Sequence, residues 1–336
     1  MRLSIFDDAP SGLEDLAADE IGALLDGPTL INLKGARPQP LFVSTLLHGN
    51  ETTSWQVACE IIKKARGGML DRSVLLFVGN VPAATARRRY LPGQPDYNRI
   101  WSGGERAEHA LAAEVLAAVR AAAPFAVIDI HNNTGRNPFY SCVSRIEPTH
   151  LHLASLFSPI AVFYTNPNSA LSIACAPLAP SIAIECGLPG NAAGVEHATA
   201  LVFETMRLEN WFADFGFAQG LRLYHTLGRL FLQDGVSFSF DNSSADVMLP
   251  AEFEEWNFNT AKVGEVWARS SLTSSPLRVI DEMGADITSR FFSHRDGETR
   301  LVTAVTPAML STNAENARLD CLGYLMEPIS FGGASI

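Results

Sequence analysis

Apolar residues along this chain fall into short continuous runs, separated by longer stretches in which apolar positions recur every three or four residues. Thr29–Leu33, Leu41–Leu47, Ser73–Val78, Phe125–Ile130, Phe139–Val143, Ile160–Tyr164 and Ser181–Ile184 have the length and continuity of buried strands. Helical spacing covers Thr52–Ala65, Glu105–Ala123, Thr149–Phe157 and a stretch from about Gly194 to Phe212. Strands apolar along their whole length and alternating with helices predict an α/β fold, its largely parallel sheet covered by helices on both faces. From about Leu221 the texture changes to short pieces between turn residues, Arg229–Gln233, Val236–Phe240, Ala261–Ala268 and Arg300–Val305, which predict a smaller, mostly β domain. The expected division is therefore 1–220 and 221–336, and a chain of 336 residues favours it, because single cores stop growing near ~250–300 residues.

Three of the apolar runs end in a residue that can bind metal or move a proton: "LFVSTLLH" at His48, "FAVIDIH" at His131 and "SIAIE" at Glu185. The carboxyl ends of strands in open α/β sheets face the ligand crevice, so these three side chains are expected at one rim. In His48-Gly49-Asn50-Glu51 a tight turn separates an imidazole from a carboxylate, a spacing that can aim both at one ion at ~2.0–2.2 Å. With His131 the set becomes two imidazoles and a carboxylate with a fourth position left for water, the arrangement of catalytic rather than structural zinc. Asp129, two residues before His131, is either a partner that orients an imidazole or a cap on a neighbouring loop. Glu185 closes a buried strand, where an ionisable group is expensive to bury without a partner or a task.

Charge and cysteine usage narrow the class further. With 25 basic against 36 acidic residues the net charge is -11, which argues against nucleic acid or an anionic membrane as the main partner. The five cysteines are scattered, with no C-x-x-C pair, as expected of reduced thiols in a cytoplasmic protein. Met1 to Ser11 lacks an apolar core of signal-peptide length, and no run approaches the ~18 residues of a membrane span. Phosphate loops of the G-x-x-x-x-G-K type and the G-x-S-x-G elbow are both absent. Nothing fixes the oligomeric state, and a homo-oligomer is compatible with the sequence.

Several ordered motifs carry a resemblance: "HGNE" at 48–51, "NVPAATARRRY" at 80–90, "DYNR" at 96–99, "DIHNNTG" at 129–135 and "IECG" at 184–187. In them the chain resembles the succinylglutamate desuccinylase/aspartoacylase family of zinc carboxypeptidase-like hydrolases, whose C-terminal β domain the tail also fits. The resemblance implies a zinc-carboxypeptidase-like mixed sheet with a smaller β-rich domain, and one zinc held by His48, Glu51 and His131. It further implies that Glu185 is the general base, that Arg89 stabilises the oxyanion, and that Asn98 and Arg99 grip the substrate's α-carboxylate. The expected substrate is a small N-acylated amino acid, or a related small amine, cleaved at its amide bond.

The chain departs from the aspartoacylases in one respect. They carry an arginine upstream of the catalytic glutamate to hold the substrate's side-chain carboxylate, whereas 146–206 here contains no Lys or Arg. A second anionic group would need Arg136, Arg145, Arg87 or Arg88, and Arg136 is preferred for its place five residues beyond His131. Two other readings stay open. A metallocarboxypeptidase would use the same metal set and a similar clamp, but needs an open groove. A binding protein without turnover would have no use for Glu185 and Arg89.

Overall fold

The computed structural model describes residues 2–211, 220–241, 243–319 and 321–330. The chain forms two compact units, one of residues 1–132 and 139–221, the other of residues 133–138 and 222–336.

In the first unit the strands are β1 (Ser4–Phe6), β2 (Thr29–Leu33), β3 (Arg37–Thr45), β4 (Arg72–Val78), β5 (Ala126–His131), β6 (Tyr140–Val143), β7 (Ile160–Phe163) and β8 (Ser181–Glu185). They lie in the order β1-β2-β4-β3-β5-β8-β6-β7. Strands β4, β3, β5 and β8 run parallel, but β2 is antiparallel to β4 and β6 to β8, so the sheet is mixed. Helices α1 (Thr53–Arg66), α2 (Val81–Thr85), α3 (Ala107–Ala122), α4 (Pro148–Phe157), α5 (Leu171–Cys175) and α6 (Ala192–Arg207) connect them. Leu111, Val115 and Val119 of α3 and Leu171 and Cys175 of α5 pack with Phe42, Phe77 and Val127 on one face of the sheet. Helices α1 and α4 each pack against α6 on the other.

Some boundaries differ from those read off the sequence. β3 begins at Arg37 and takes in Pro38 and Pro40, which a propensity argument places outside a strand. It ends at Thr45, because Leu46 adopts a left-handed backbone (φ 52°) that lifts Leu46 and Leu47 out of the ladder. Helix α6 ends at Arg207; the Phe212 end expected for it lies outside the described residues.

The second unit contains β9 (Arg222–Leu232), β10 (Phe238–Ser239), β11 (Val247–Met248), β12 (Val266–Ser270), β13 (Leu277–Ile280), β14 (Phe292–Arg295), β15 (Glu298–Leu301), β16 (Thr306–Ala308) and β17 (Gly323–Ile329). β9 pairs with β13 and β17, and β17 with β16, while β10-β11-β12-β15-β14 form a five-stranded sheet around Trp267, Phe253 and Phe292. Ala261 and Val305, expected inside strands, instead make an isolated bridge to each other.

Candidate metal and catalytic site

The turn after β3 is shaped by three devices. Leu46 supplies the reversal. Ser54 clasps the turn, its Oγ accepting from the Leu46 N–H at 3.0 Å and donating to the Glu51 carbonyl at 2.8 Å. Gly49 lets the turn lie directly on α2, since a Cβ there would fall 2.2 Å from backbone atoms of Ala83 and Ala84. The result is that His48 and Glu51, both buried, face each other, with His48 Nδ1 2.6 Å from Glu51 Oε1.

Period-two alternation along β5 puts Asp129 and His131 on one face, and the parallel register sets His131 beside Glu185 at the end of β8. His131 Nδ1 lies 2.9 Å from the second oxygen of Glu51. His48, Glu51 and His131 thus offer three ligand atoms within 4.8 Å of one another.

Each imidazole also meets a carboxylate on its far side. His48 Nε2 is 2.8 Å from Asp96 Oδ1, and His131 Nε2 is 2.8 Å from Asp129 Oδ2. A neutral imidazole carries one N–H, so it can satisfy only one of two flanking carboxylates; the other contact needs a second proton or a cation. If the N–H groups donate outward to Asp96 and Asp129, both Nδ1 lone pairs and the Glu51 oxygens converge on one point, a set that suits a divalent ion. The backbone N–H of Asn132, 3.2 Å from Glu51 Oε2, fixes the carboxylate as well.

The electrostatics follow from this crowding. Burial opposes ionisation of Glu51, but the two imidazoles outweigh it and hold the carboxyl well below the usual range. Burial likewise works against Asp96 ionising, yet His48, Arg89 and Arg99 keep its carboxyl far down. Glu185 behaves in the opposite way: burial pushes its carboxyl up to about 7, only partly offset by His131, and its Oε2 has no hydrogen-bond partner.

Of the arginine run, Arg89 faces the ligands, donating to Glu51 Oε1 at 3.4 Å and to Asp96 Oδ2 at 3.1 Å. Arg87 turns away on a left-handed backbone and pairs with Asp19. Asn98 is pinned between its own N–H, which donates to Asp96 Oδ1 at 2.7 Å, and its Oδ1, which accepts from the Leu171 N–H at 3.0 Å. That leaves its Nδ2 directed to His131, 3.4 Å from Nε2. Arg99 donates to the Asn98 carbonyl at 2.9 Å. Tyr97 and Trp101, both in the core, hold this loop in place. Arg136 belongs to the second unit, where its side chain is exposed and its backbone N–H donates to Glu254 at 3.1 Å. Cys186 is fully buried and its thiol is pushed far up by burial, which suits packing rather than chemistry.

Residues 39–202 match the family model described as the Succinylglutamate desuccinylase/Aspartoacylase catalytic domain. Those residues carry that family's catalytic domain. Solved structures agree in fold. The succinylglutamate desuccinylase from Chromobacterium violaceum is 17% identical, with a TM-score of 0.56 over 89% of this chain and 87% of that one. Murine aminoacylase 3 is 17% identical, with a TM-score of 0.56 over 88% and 97%. A succinylglutamate desuccinylase/aspartoacylase from Rhodobacter sphaeroides is 14% identical, with a TM-score of 0.59 over 90% and 88%. The matched fold is carboxypeptidase-like with a C-terminal β region. No curated protein matches the chain significantly. Among the described residues no helix is long and apolar enough to cross a membrane.

Proposed function

We propose that this protein, which carries that catalytic domain, is a zinc-dependent amidohydrolase that removes the acyl group from small N-acylated amino acids. One observation carries the reading: two imidazoles converge on Glu51 through Nδ1 while carboxylates brace both at Nε2, and Glu185 stands in register beside His131. His48, Glu51 and His131 would hold the zinc, which supplies Lewis acidity to water and to the scissile carbonyl.

Glu185, in register beside His131, takes the proton of the attacking water and returns it to the leaving nitrogen. Arg89, beside Glu51, offers its guanidinium to the oxygen that gains negative charge as the carbonyl carbon becomes tetrahedral. Asn98 Nδ2 and the Arg99 guanidinium receive the α-carboxylate, placing the scissile amide between Arg89 and Glu185.

The test is turnover by zinc-loaded protein of a panel of N-acyl amino acids beside a panel of dipeptides. Hydrolysis of N-acyl amino acids, with dipeptides much slower, is expected. Cleavage of dipeptides alone would replace this reading with a carboxypeptidase.

A further inference from the structure

On the face of the sheet that bears His131 and Glu185, a row of residues runs across four strands. Asp129 of β5 pairs with Ala183 of β8, Ala183 with Cys142 of β6, and Cys142 with Val162 of β7. Residues paired in register share a face, so the row lies one step below His131 and Glu185. Its middle is built of small side chains, whereas Ile128, Ile130, Ile182 and Ile184 fill the opposite face of the same strands. Cys142 and Glu185 keep solvent-accessible surface, although Tyr140, Ser141 and Val143 around them are buried. Within the row, Cys142 is thus the residue open to solvent, since Asp129, Ala183 and Val162 are buried. Its far end is Val162; Tyr164, two residues further along the chain and so one step farther from the site, has its hydroxyl 2.8 Å from Ser172 Oγ.

Helix α5 ties this row to the carboxylate clamp. Leu171 holds Asn98 by its N–H, and the next residue, Ser172, holds Tyr164. The side chain of an amino acid gripped at Asn98 and Arg99 would then lie toward this end of α5, with Tyr164 beside it and Cys142 beneath Glu185. The charged residue of the row is acidic, and so is Glu185 one step above it. Asp129 is fully buried with Oδ1 lacking a hydrogen-bond partner, and Oε2 of Glu185 lacks one too. Burial, then Glu185 and Asp129, push the Cys142 thiol far above its usual range, as their field demands.

We propose that this crevice receives the side chain of the amino acid released in the reaction, and that Cys142, Ala183 and Tyr164 restrict it to compact, uncharged side chains. The inference rests on the deacylase reading and adds the substrate class to it. An acidic side chain there would be set against two carboxylates, and 146–206, which supplies β7, α5 and β8, has no Lys or Arg to receive it.

The test compares kcat/KM of zinc-loaded wild type, Cys142→Leu and Cys142→Ala on the N-acetyl derivatives of glycine, alanine, methionine and aspartate. Wild type should prefer alanine or methionine over aspartate by about tenfold or more. Pockets discriminate about ten- to 200-fold per methylene, so Cys142→Leu should lower the methionine derivative by that factor and leave the glycine derivative within about threefold. Cys142→Ala should move the preference toward methionine. A preference for aspartate, or a uniform change across side chains in both variants, would overturn the pocket while leaving the deacylase reading intact. If no derivative is turned over, calorimetric titration of the same series into zinc-loaded Glu185→Gln, with and without Cys142→Leu, reads the pocket alone. Binding of methionine lost on Cys142→Leu would support it although the deacylase reading had failed. Binding that ignores the side chain, or no binding at all, would overturn it.

Discussion

The burial of Glu185 has a thermodynamic consequence that a single substitution exposes. Its carboxyl ionises near the ordinary 4.5 in the unfolded chain and at about 7 in the folded one, because burial disfavours the charge. A group whose folded value is raised gives full stability below its unfolded value and loses it as pH rises through the folded value. The difference between 4.5 and about 7 corresponds to about 3 kcal/mol, present at pH 4.5 and gone by about pH 8. Glu185→Gln has no charge to bury at any pH. Metal-free Glu185→Gln should therefore be more stable than metal-free wild type by about 2–3 kcal/mol at pH 8.5, with the gap closing toward pH 4.5. Urea unfolding of both proteins in chelator, over that pH range, measures it. A cation held by His48, Glu51 and His131 would favour the ionised carboxylate, so zinc loading should narrow the gap. The same variant, zinc-loaded, should bind substrate but lose about 10²-fold or more in kcat, because an amide cannot accept the proton. A gap independent of pH would refute the burial argument, and near-normal turnover would refute the base.

Three further outcomes follow from the geometry. Elemental analysis should find about one zinc per chain, falling sharply in His48→Ala and His131→Ala; full retention in both would move the metal elsewhere. Asp96→Asn and Asp129→Asn should each weaken zinc binding about 10–100-fold in competition with a chelating indicator, with Asp19→Asn, which touches only the Arg87 pair, as the unaffected control; wild-type affinity in both would show that the Nε2 contacts do not orient the ligands. Arg99→Lys keeps the charge but loses the fork, so kcat/KM for substrates with a free α-carboxylate should drop about ten- to hundredfold, and indifference of wild type to amidation of that carboxylate would remove the clamp.

The sheet was legible wherever burial made strands apolar throughout, as in β2, β4, β5 and β8. Strand direction was not, because continuous apolarity reports burial on both faces and says nothing of polarity; β2 runs antiparallel to β4, and β6 to β8, without any mark in composition. β1, three residues long at the edge, was invisible for the opposite reason: Ile5 is 61% exposed, so no core pattern is written into it. In the second unit strands of two to five residues are held by pairing as much as by burial, and their ends shift accordingly, as Val305 shows by bridging Ala261 rather than extending β15.

The site divides along a similar line. His48, His131 and Glu185 could be picked out because each is a reactive residue at the end of an apolar run, a signal that is local in sequence. Asp96 could not. It reads as a turn acid ahead of Asn98 and Arg99, and its work depends on His48, 48 residues away, and on Arg89. Asn132 escaped notice because the group it contributes is a backbone N–H. The choice among Arg87, Arg88 and Arg89 turns on the backbone, since a left-handed Arg87 swings one guanidinium to Asp19 and leaves Arg89 to face Glu51. Reactive side chains at the end of a core strand announce themselves by chemistry that the strand has no other reason to carry. Residues that hold those in place are ordinary turn formers by type, and only the fold, by bringing Asp96 to His48 and Asp129 to His131, gives them a reason to be acidic.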